Sequence, residues 1–107
     1  MDSTEIVKIQ KLLSNYPNRV PIILKETSNF SRYFKLTKHQ YLIASENTVG
    51  LFMYHLKNIN NIKTDKSIYM YHYDTLLSSN DTFGYLRSKY NYEMVLILTV
   101  DCENVFG

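Results

Sequence analysis

The strongest constraint on the fold is an uninterrupted apolar run close to the end of the sequence. Residues 94–100 read MVLILTV, and Thr99 is the one polar side chain among them. Such a run is typical of a strand that is covered on both faces. Residues 94–100 therefore predict the central strand of a sheet, with other strands beside it.

Three segments have the apolar spacing of helices. The first covers residues 3–14 and opens with a capping box. The second covers residues 48–59, and the third is a short helix capped by Asn80 or Asp81. The apolar residues at helical spacing are Ile6, Ile9 and Leu13 in the first, Val49, Phe52, Met53, Leu56 and Ile59 in the second, and Phe83, Leu86 and Tyr90 in the third.

Three further segments, residues 20–24, 40–43 and 68–73, have strand composition. Pro21 lacks a backbone donor, so it belongs near the start of its strand or at a bulge. Residues 27–38 are polar and are expected to be irregular. The element order predicts an α+β fold, a β-grasp with a mixed sheet of four to five strands and an added N-terminal helix. In that fold the first two strands form a hairpin, and the last strand pairs in parallel with the first.

The length of the chain predicts a single domain, residues 1–107, because 107 residues suffice for one core but not for two. Residues 1–15 hold the added N-terminal helix, and residues 101–107 are expected to form a flexible tail. Neither a linker-like composition nor a repeat divides the sequence.

No pattern in the sequence predicts an active site, so we do not expect an enzyme. Cys102 lies between Asp101 and Glu103, whose charges should raise its pKa and make it a poor nucleophile. The three histidines lack the spacing of metal ligands, and a packed or surface position is the simpler interpretation of each. There is no glycine-rich phosphate loop. We therefore expect neither a metal nor a cofactor.

The compartment follows from the cysteine and from the start of the sequence. A sole cysteine excludes an internal disulfide and favours a reducing compartment. The first residues lack the layout of a signal peptide, and no apolar run approaches the length of a membrane span. We expect a cytoplasmic protein unless it is attached to a membrane by other means.

The charge distribution favours an acidic peptide or a phospholipid surface over nucleic acid. Residues 1–40 carry seven Lys or Arg, but these are scattered singly, and a solvated face is an equally good interpretation of them. Tyr69, Tyr71 and Tyr73 alternate along one predicted strand, where packing against a helix is a simpler interpretation than stacking on bases. We expect no nucleic-acid partner.

The sequence closes on a glycine, Gly107. A residue without Cβ can thread a narrow enzyme channel and present its carboxylate there. Activation of that carboxylate as an adenylate, then as a thioester, would be the work of partner enzymes. A single terminal glycine is a weak signal by itself.

Four motifs in the same order resemble the autophagy ubiquitin-like modifiers, the family of GABARAP and its fungal counterpart. They are YPNRVPII at residues 16–23, QYLI at 40–43, TVGxF at 48–52 and ENVFG at 103–107. The resemblance extends over about residues 5–107 and implies a ubiquitin-like β-grasp. It also implies conjugation of Gly107 to phosphatidylethanolamine on autophagosomal membranes, by activating and conjugating enzymes, and release by a deconjugating cysteine protease. A modifier linked to a protein lysine and an unconjugated peptide-binding adaptor are the alternatives.

The resemblance further implies a site for aromatic-x-x-aliphatic receptor peptides, which add a strand to the second β-strand. By position, the aromatic pocket would use Leu12, Pro21, Ile23, Leu42 and Val95, and the aliphatic pocket Tyr41, Ile43, Ala44 and Phe52. Arg19 and Lys38 would meet acids that flank the peptide motif, with Gln40 beside the aromatic pocket. Tyr69, Tyr71 and Phe106 would contact the conjugation enzymes.

Several residues at this implied site differ from the family pattern. Gln40 replaces a lysine, Lys8 replaces an acid of the helix that faces the pocket, and Val95 replaces a phenylalanine. Ala44 replaces a proline, and His55 stands where an apolar residue is usual. These changes imply a wider aromatic pocket with a shifted peptide preference. The sequence also has one helix before Tyr16, where the family usually has two.

Overall fold

The apolar run near the end of the chain forms the central strand of a five-stranded sheet. The computed structural model describes residues 2–62 and 66–103. The strands are β1 (Arg19–Glu26), β2 (Gln40–Ala44), β3 (Ile68–His72), β4 (Thr75–Leu76) and β5 (Leu96–Cys102). The helices are α1 (Ser3–Asn15), α2 (Ser28–Tyr33), α3 (Val49–Ile59) and α4 (Phe83–Lys89).

The sheet is mixed, with strand order β2-β1-β5-β3-β4. Strands β1 and β2 form the expected antiparallel hairpin, and β1 pairs in parallel with β5. Strand β3 runs antiparallel to both β5 and β4. This arrangement confirms the predicted ubiquitin-like β-grasp.

The core lies between one face of the sheet and helices α3 and α4. Alternate residues of β5 are buried there, at Leu96, Leu98, Val100 and Cys102. The helices contribute a second set of buried apolar side chains: Val49, Phe52, Leu56, Phe83 and Leu86. The other face of β5 is half-buried, so its continuous hydrophobicity reflects cover on both faces, with the tighter packing on the side of α3.

Helices α3 and α4 begin beside each other. A backbone N–H in the first turn of each helix donates to a carbonyl in the segment that precedes the other helix. The N–H of Gly50 donates to the Ser79 carbonyl at 2.9 Å, and the N–H of Gly84 donates to the Ser45 carbonyl at 2.9 Å. A Cβ on Gly50 would lie 3.0 Å from the Ser79 oxygen, so this close approach favours glycine. The predicted cap of α4 is wrong, because Thr82 accepts the N–H of Tyr85 and takes that role.

The prediction that residues 27–38 are irregular is wrong for residues 28–33, which form α2. Thr27 caps this helix by accepting the Phe30 N–H, and its hydroxyl donates to Asp101 at 2.7 Å. Asn29 donates to the Cys102 carbonyl at 2.9 Å, and Phe30 is completely buried. The helix is thus stabilised by contacts with β5 rather than by its own short, polar sequence.

The boundaries of β3 and β5 also differ from the predictions. Strand β5 covers Leu96–Cys102 rather than residues 94–100, so the expected flexible tail does not begin at Asp101. The next residue, Glu103, is also held, because its N–H donates to the Ser67 carbonyl at 3.0 Å. Tyr73 lies past β3, with φ at 54°, so only Tyr69 and Tyr71 alternate within the strand. Residues 104–107 lie outside the described part of the chain.

Two carboxylates join α2 to the sheet and should make the fold sensitive to acid. Burial opposes ionisation of Glu26, but hydrogen bonds from His39, Ser31 and the Leu36 N–H outweigh it and lower its pKa. Burial likewise opposes ionisation of Asp101, but its hydrogen-bond donors, Thr27 first, lower its pKa.

A carboxyl group with a lowered pKa stabilises the folded state above its unfolded pKa, and this contribution is lost as the pH falls through the folded pKa. We therefore expect the free energy of unfolding to decline once the pH falls below about 4.5, near the ordinary value for glutamate. Asp101→Asn should be less stable than wild type by about 1 kcal/mol at pH 7 and should show a shallower decline. Urea unfolding at several pH values measures both. If Asp101→Asn leaves the decline of stability with pH unchanged, or if Asp74→Asn in the exposed β3–β4 turn has the same effect on stability, the stabilising role of Asp101 is contradicted.

Candidate functional site

Helix α1 lies on β1 without burying any of its residues Ser3–Asn15 completely. Ile6, Ile9 and Leu13 are half-buried, but Leu12 is 41% exposed and Val7 is 55% exposed. An amphipathic helix usually buries its apolar face against the domain. Apolar surface is therefore left open where α1 meets the sheet.

The open apolar surface forms a groove between α1, β1 and β2, with a volume of about 610 Å³. Its lining residues are Glu5, Lys8, Ile9, Leu12, Pro21, Ile22, Ile23, Lys38, Gln40, Tyr41, Leu42 and Val95. Apolar side chains and the Tyr41 ring form most of the surface, with two lysines, one glutamate and one glutamine at its polar positions. A volume of this size is typical of sites that hold a bulky ligand group.

The structure brings together all the residues placed in the aromatic pocket: Leu12, Pro21, Ile23, Leu42 and Val95. Lys38, Gln40 and Tyr41 also line the groove. So does Lys8, which replaces an acid of the family pattern. Glu5, Ile9 and Ile22 were not among the predicted site residues. Glu5, Ile9 and Leu12 follow one another at helical spacing, so the helical period could have found the two that α1 contributes.

Strand β2 forms one edge of the sheet and borders the groove. The hydrogen bonds of β2 and its flanking residues with β1 involve odd-numbered positions. The Leu24 N–H donates to the His39 carbonyl, and the Ser45 N–H donates to the Asn18 carbonyl. The backbone groups of Gln40, Leu42 and Ala44 therefore face away from β1. An open edge of this kind can accept a further strand.

Pro21 fits this pattern because it pairs with Leu42, at a position where the hairpin needs no donor from β1. It also precedes the first parallel pair with β5, Ile22 with Leu96. Its missing N–H thus leaves neither ladder incomplete, as the sequence predicted for a proline near the start of the strand.

Three cationic side chains stand around the groove and its edge. The Nη1 of Arg19 donates to the outward carbonyl of Leu42 at 3.3 Å. The Nζ of Lys38 lies 5.4 Å from the centre of the Tyr41 ring, and the Tyr41 hydroxyl donates to the Lys38 carbonyl at 2.8 Å. Burial raises the pKa of Tyr41 above its ordinary value. Lys8 faces them from α1.

The residues placed in the aliphatic pocket do not share this groove, except for Tyr41. Phe52 is 5% exposed and packs edge-on against Tyr41 with ring centres 5.0 Å apart. Ile43 packs against the core from β2, and Ala44 is half-buried. His55 is exposed on α3 and packs edge-on against Tyr54.

The residues placed in contact with conjugation enzymes lie elsewhere. Tyr69 is 39% exposed on β3, and Tyr71 is half-buried beside Leu76 of β4. Phe106 and Gly107 fall outside the described residues. No described helix has the length and apolarity needed to cross a bilayer.

Two side chains that could act as a nucleophile or a metal ligand, Cys102 and His72, are packed in the protein interior. The Cys102 thiol is buried, and burial followed by the charge of Asp101 raises its pKa, in the predicted direction but with burial as the larger cause. His72 is packed in the interior and contacts Glu93. Within residues 2–62 and 66–103, no group of three or more His, Cys, Asp or Glu residues could hold a metal ion.

The groove and fold can be compared with known proteins. The sequence matches the family described as "Autophagy protein Atg8 ubiquitin like" over residues 4–107. The crystal structure of Trypanosoma brucei ATG8 is similar, with a TM-score of 0.80 and 27% identity, covering 94% of this chain and 87% of that one. Plasmodium falciparum Atg8, in complex with a Plasmodium falciparum Atg3 peptide, gives a TM-score of 0.77 at 19% identity, covering 94% and 89%. Because the family match spans nearly the whole sequence, this chain belongs to the Atg8 family of autophagy ubiquitin-like proteins.

Proposed function

We propose that this chain is a lipid-conjugated modifier in autophagy that binds receptor peptides in the groove between α1 and β2. The observation that carries the proposal is the position of an apolar groove directly beside the open edge of β2. Peptides that add a strand to a sheet gain affinity from backbone hydrogen bonds and specificity from pockets that hold alternate side chains. The groove and the edge supply both.

The electrostatics of the groove favour an acidic peptide. Lys8 and Lys38 line it, and Arg19 stands at the outer edge of β2, while Glu5 is the one acid among the lining residues that the structure describes. Cations around an apolar pocket attract peptides whose aromatic anchor is flanked by Asp or Glu. The aliphatic side chain of such a peptide would lie on the other side of β2, near Tyr41, Ile43, Ala44 and Phe52.

The conjugation step is proposed for Gly107, on the resemblance of its flanking sequence to the family terminus. Glu103 is anchored to Ser67 by its N–H and by its carboxylate, which accepts the Ser67 N–H at 3.2 Å. Because an extended residue spans about 3.5 Å, Gly107 can lie at most about 14 Å from this anchor. The catalytic centre of a conjugating enzyme must therefore come close to the β3–β5 end of the sheet.

The partners would be the activating and conjugating enzymes of the Atg8 cascade, which meet Tyr69, Tyr71 and Phe106, and a deconjugating cysteine protease. The Atg3 peptide bound to the Plasmodium protein supports a partner of the conjugating class. Linkage to phosphatidylethanolamine would add two acyl chains, which anchor a protein stably to a membrane. The conjugated form would then reside on autophagosomal membranes and the free form in the cytoplasm.

A reconstituted reaction tests the proposal. The intact chain is incubated with the activating and conjugating enzymes of the Atg8 cascade, ATP and liposomes that contain phosphatidylethanolamine. We expect a lipid-linked product by mass spectrometry, and none from Gly107→Ala or from liposomes of phosphatidylcholine, whose quaternary nitrogen cannot form an amide. A product on a protein lysine would favour the alternative modifier. Peptide binding without any conjugate would favour an adaptor, and an undiminished product from Gly107→Ala would contradict the role of this residue.

A further inference from the structure

We propose that Arg19 covers the peptide-binding edge of β2 in the free chain, and that acidic residues beside the aromatic anchor of a peptide release it. The inference rests on the proposed peptide-binding function and adds to it a contact that blocks the β2 edge in the free chain. In this view Arg19 is a specificity residue that penalises peptides without an acidic flank.

The position of the Arg19 guanidinium supports the first half of the inference. Arg19 pairs with Ala44 in the hairpin register, and its exposed side chain reaches along β2 to the carbonyl of Leu42. This carbonyl points away from β1, into the space that an added strand would occupy. The guanidinium therefore covers the central one of the three outward carbonyls of β2, while that of Ala44 already accepts the Asn47 N–H at 3.1 Å.

An added peptide strand and the guanidinium compete for the same oxygen. A strand that pairs with β2 needs the outward carbonyls as acceptors for its own N–H groups. The bond from Arg19 is 3.3 Å long and exposed to solvent, so it is weak and can be displaced at a cost of a few-fold in affinity. Until it is displaced, it also protects the open edge from pairing with other chains.

An acidic residue in the peptide changes the balance of this competition. A guanidinium released from the Leu42 carbonyl can form two parallel hydrogen bonds with a carboxylate. A peptide with an acidic flank thus gains a contact with the released guanidinium. A neutral peptide displaces the guanidinium without gaining such a contact, so it binds more weakly. Lys38 is placed differently, because its ammonium lies over the Tyr41 ring rather than on an outward carbonyl.

The signature of this mechanism is an effect of opposite sign on two peptides. We use two synthetic ten-residue peptides with the same Phe-x-x-Leu core, one flanked by Asp and the other by Ser. With Arg19→Ala, the neutral peptide should bind about 3-fold more tightly, because nothing has to be displaced. The acidic peptide should bind about 5-fold more weakly, because a charged pair is lost. Isothermal titration calorimetry measures both dissociation constants.

Lys25→Ala provides the matched control, because Lys25 is an exposed cation on the same strand and pairs with Thr99 of β5, away from the β2 edge. It should leave the affinity for the neutral peptide unchanged. If Arg19→Ala weakens both peptides, or leaves the neutral one unaffected, the inference is wrong although peptide binding stands. If the wild-type chain binds neither peptide, the proposed peptide-binding function fails, and this inference with it.

The contact in the free chain has its own test. The carbonyl ¹³C signal of Leu42 should shift on Arg19→Ala by more than the signal of Gln40, whose outward carbonyl Arg19 does not contact, and more than that of Ala44, whose carbonyl accepts the Asn47 N–H. The same signal should shift when the acidic peptide is added to the wild-type chain. Equal shifts at the three carbonyls on Arg19→Ala would show that the guanidinium does not cover Leu42, and would overturn the inference.

Discussion

A chain carrying Leu42→Asp is expected to bind an aromatic-x-x-aliphatic peptide at least about 30-fold more weakly than wild type, a loss of about 2 kcal/mol. Leu42 forms part of the apolar wall of the groove, next to Pro21 in the hairpin. A carboxylate at this position would be covered by the aromatic anchor of the peptide and would repel the flanking Asp residues, and burial of a charge beneath an apolar group is costly even with cations nearby. Calorimetric titration with the Asp-flanked peptide measures the loss.

Leu76→Asp is the matched control for this substitution. Leu76 is also a leucine in an edge strand, but β4 lies at the opposite edge of the same sheet and Leu76 is 56% exposed. It should retain wild-type affinity, so a loss confined to Leu42→Asp would locate binding at the groove. Equal losses from the two substitutions would indicate a general effect of negative charge, and wild-type affinity of Leu42→Asp would exclude the groove.

Replacing Glu93 by alanine is expected to lower the free energy of unfolding by about 3 kcal/mol. The side chains of His72 and Glu93 are only 4% and 11% exposed. The Nε2 of His72 lies 2.9 and 3.1 Å from the two carboxylate oxygens, and its ring stacks on Tyr90 with centres 3.6 Å apart. Without Glu93, the imidazole would be left buried with its Nε2 unpaired, which costs the full desolvation of that group.

Two further variants separate this cause from a simple loss of contact. Glu46→Ala removes an exposed glutamate and should change stability by less than about 0.5 kcal/mol. The double variant His72→Leu/Glu93→Ala should recover about half of the loss, because an apolar side chain at 72 needs no partner. Urea unfolding at pH 7 measures all three. A double variant less stable than Glu93→Ala would contradict a penalty that arises from the unpaired imidazole.

The parts of the fold that follow local rules could be predicted from the sequence. The apolar run at 94–100 identified the central strand, and the helical spacing around Phe52 identified α3. Helix α2 could not be predicted, because four of its six residues are polar and it is fixed by bonds from Thr27 and Asn29 to residues more than 70 positions away. The end of β5 was predicted too early, because a charged residue such as Asp101 is typical of an exposed tail. In the structure Asp101 accepts hydrogen bonds from Thr27 and Asn29 instead.

The side chains that line the candidate site could be predicted from the sequence, but the contacts along the β2 edge could not. The aromatic pocket came from the resemblance, and its five residues lie in one groove. The contact between Arg19 and Leu42 could not be predicted, because it depends on the register of the hairpin and on which carbonyls face outward. The same holds for His72, whose partner Glu93 lies 21 positions away in the sequence.

The most direct test of the groove as the peptide-binding site is a chemical-shift map of the ¹⁵N- and ¹³C-labelled chain with the Asp-flanked peptide. The largest changes should fall on the backbone groups of Gln40, Leu42 and Ala44 and on the side chains of Leu12 and Ile23, which face the groove. Changes centred instead on Tyr69, Tyr71 and Leu76, at the other end of the sheet, would contradict the account, as would a spectrum that the peptide leaves unchanged.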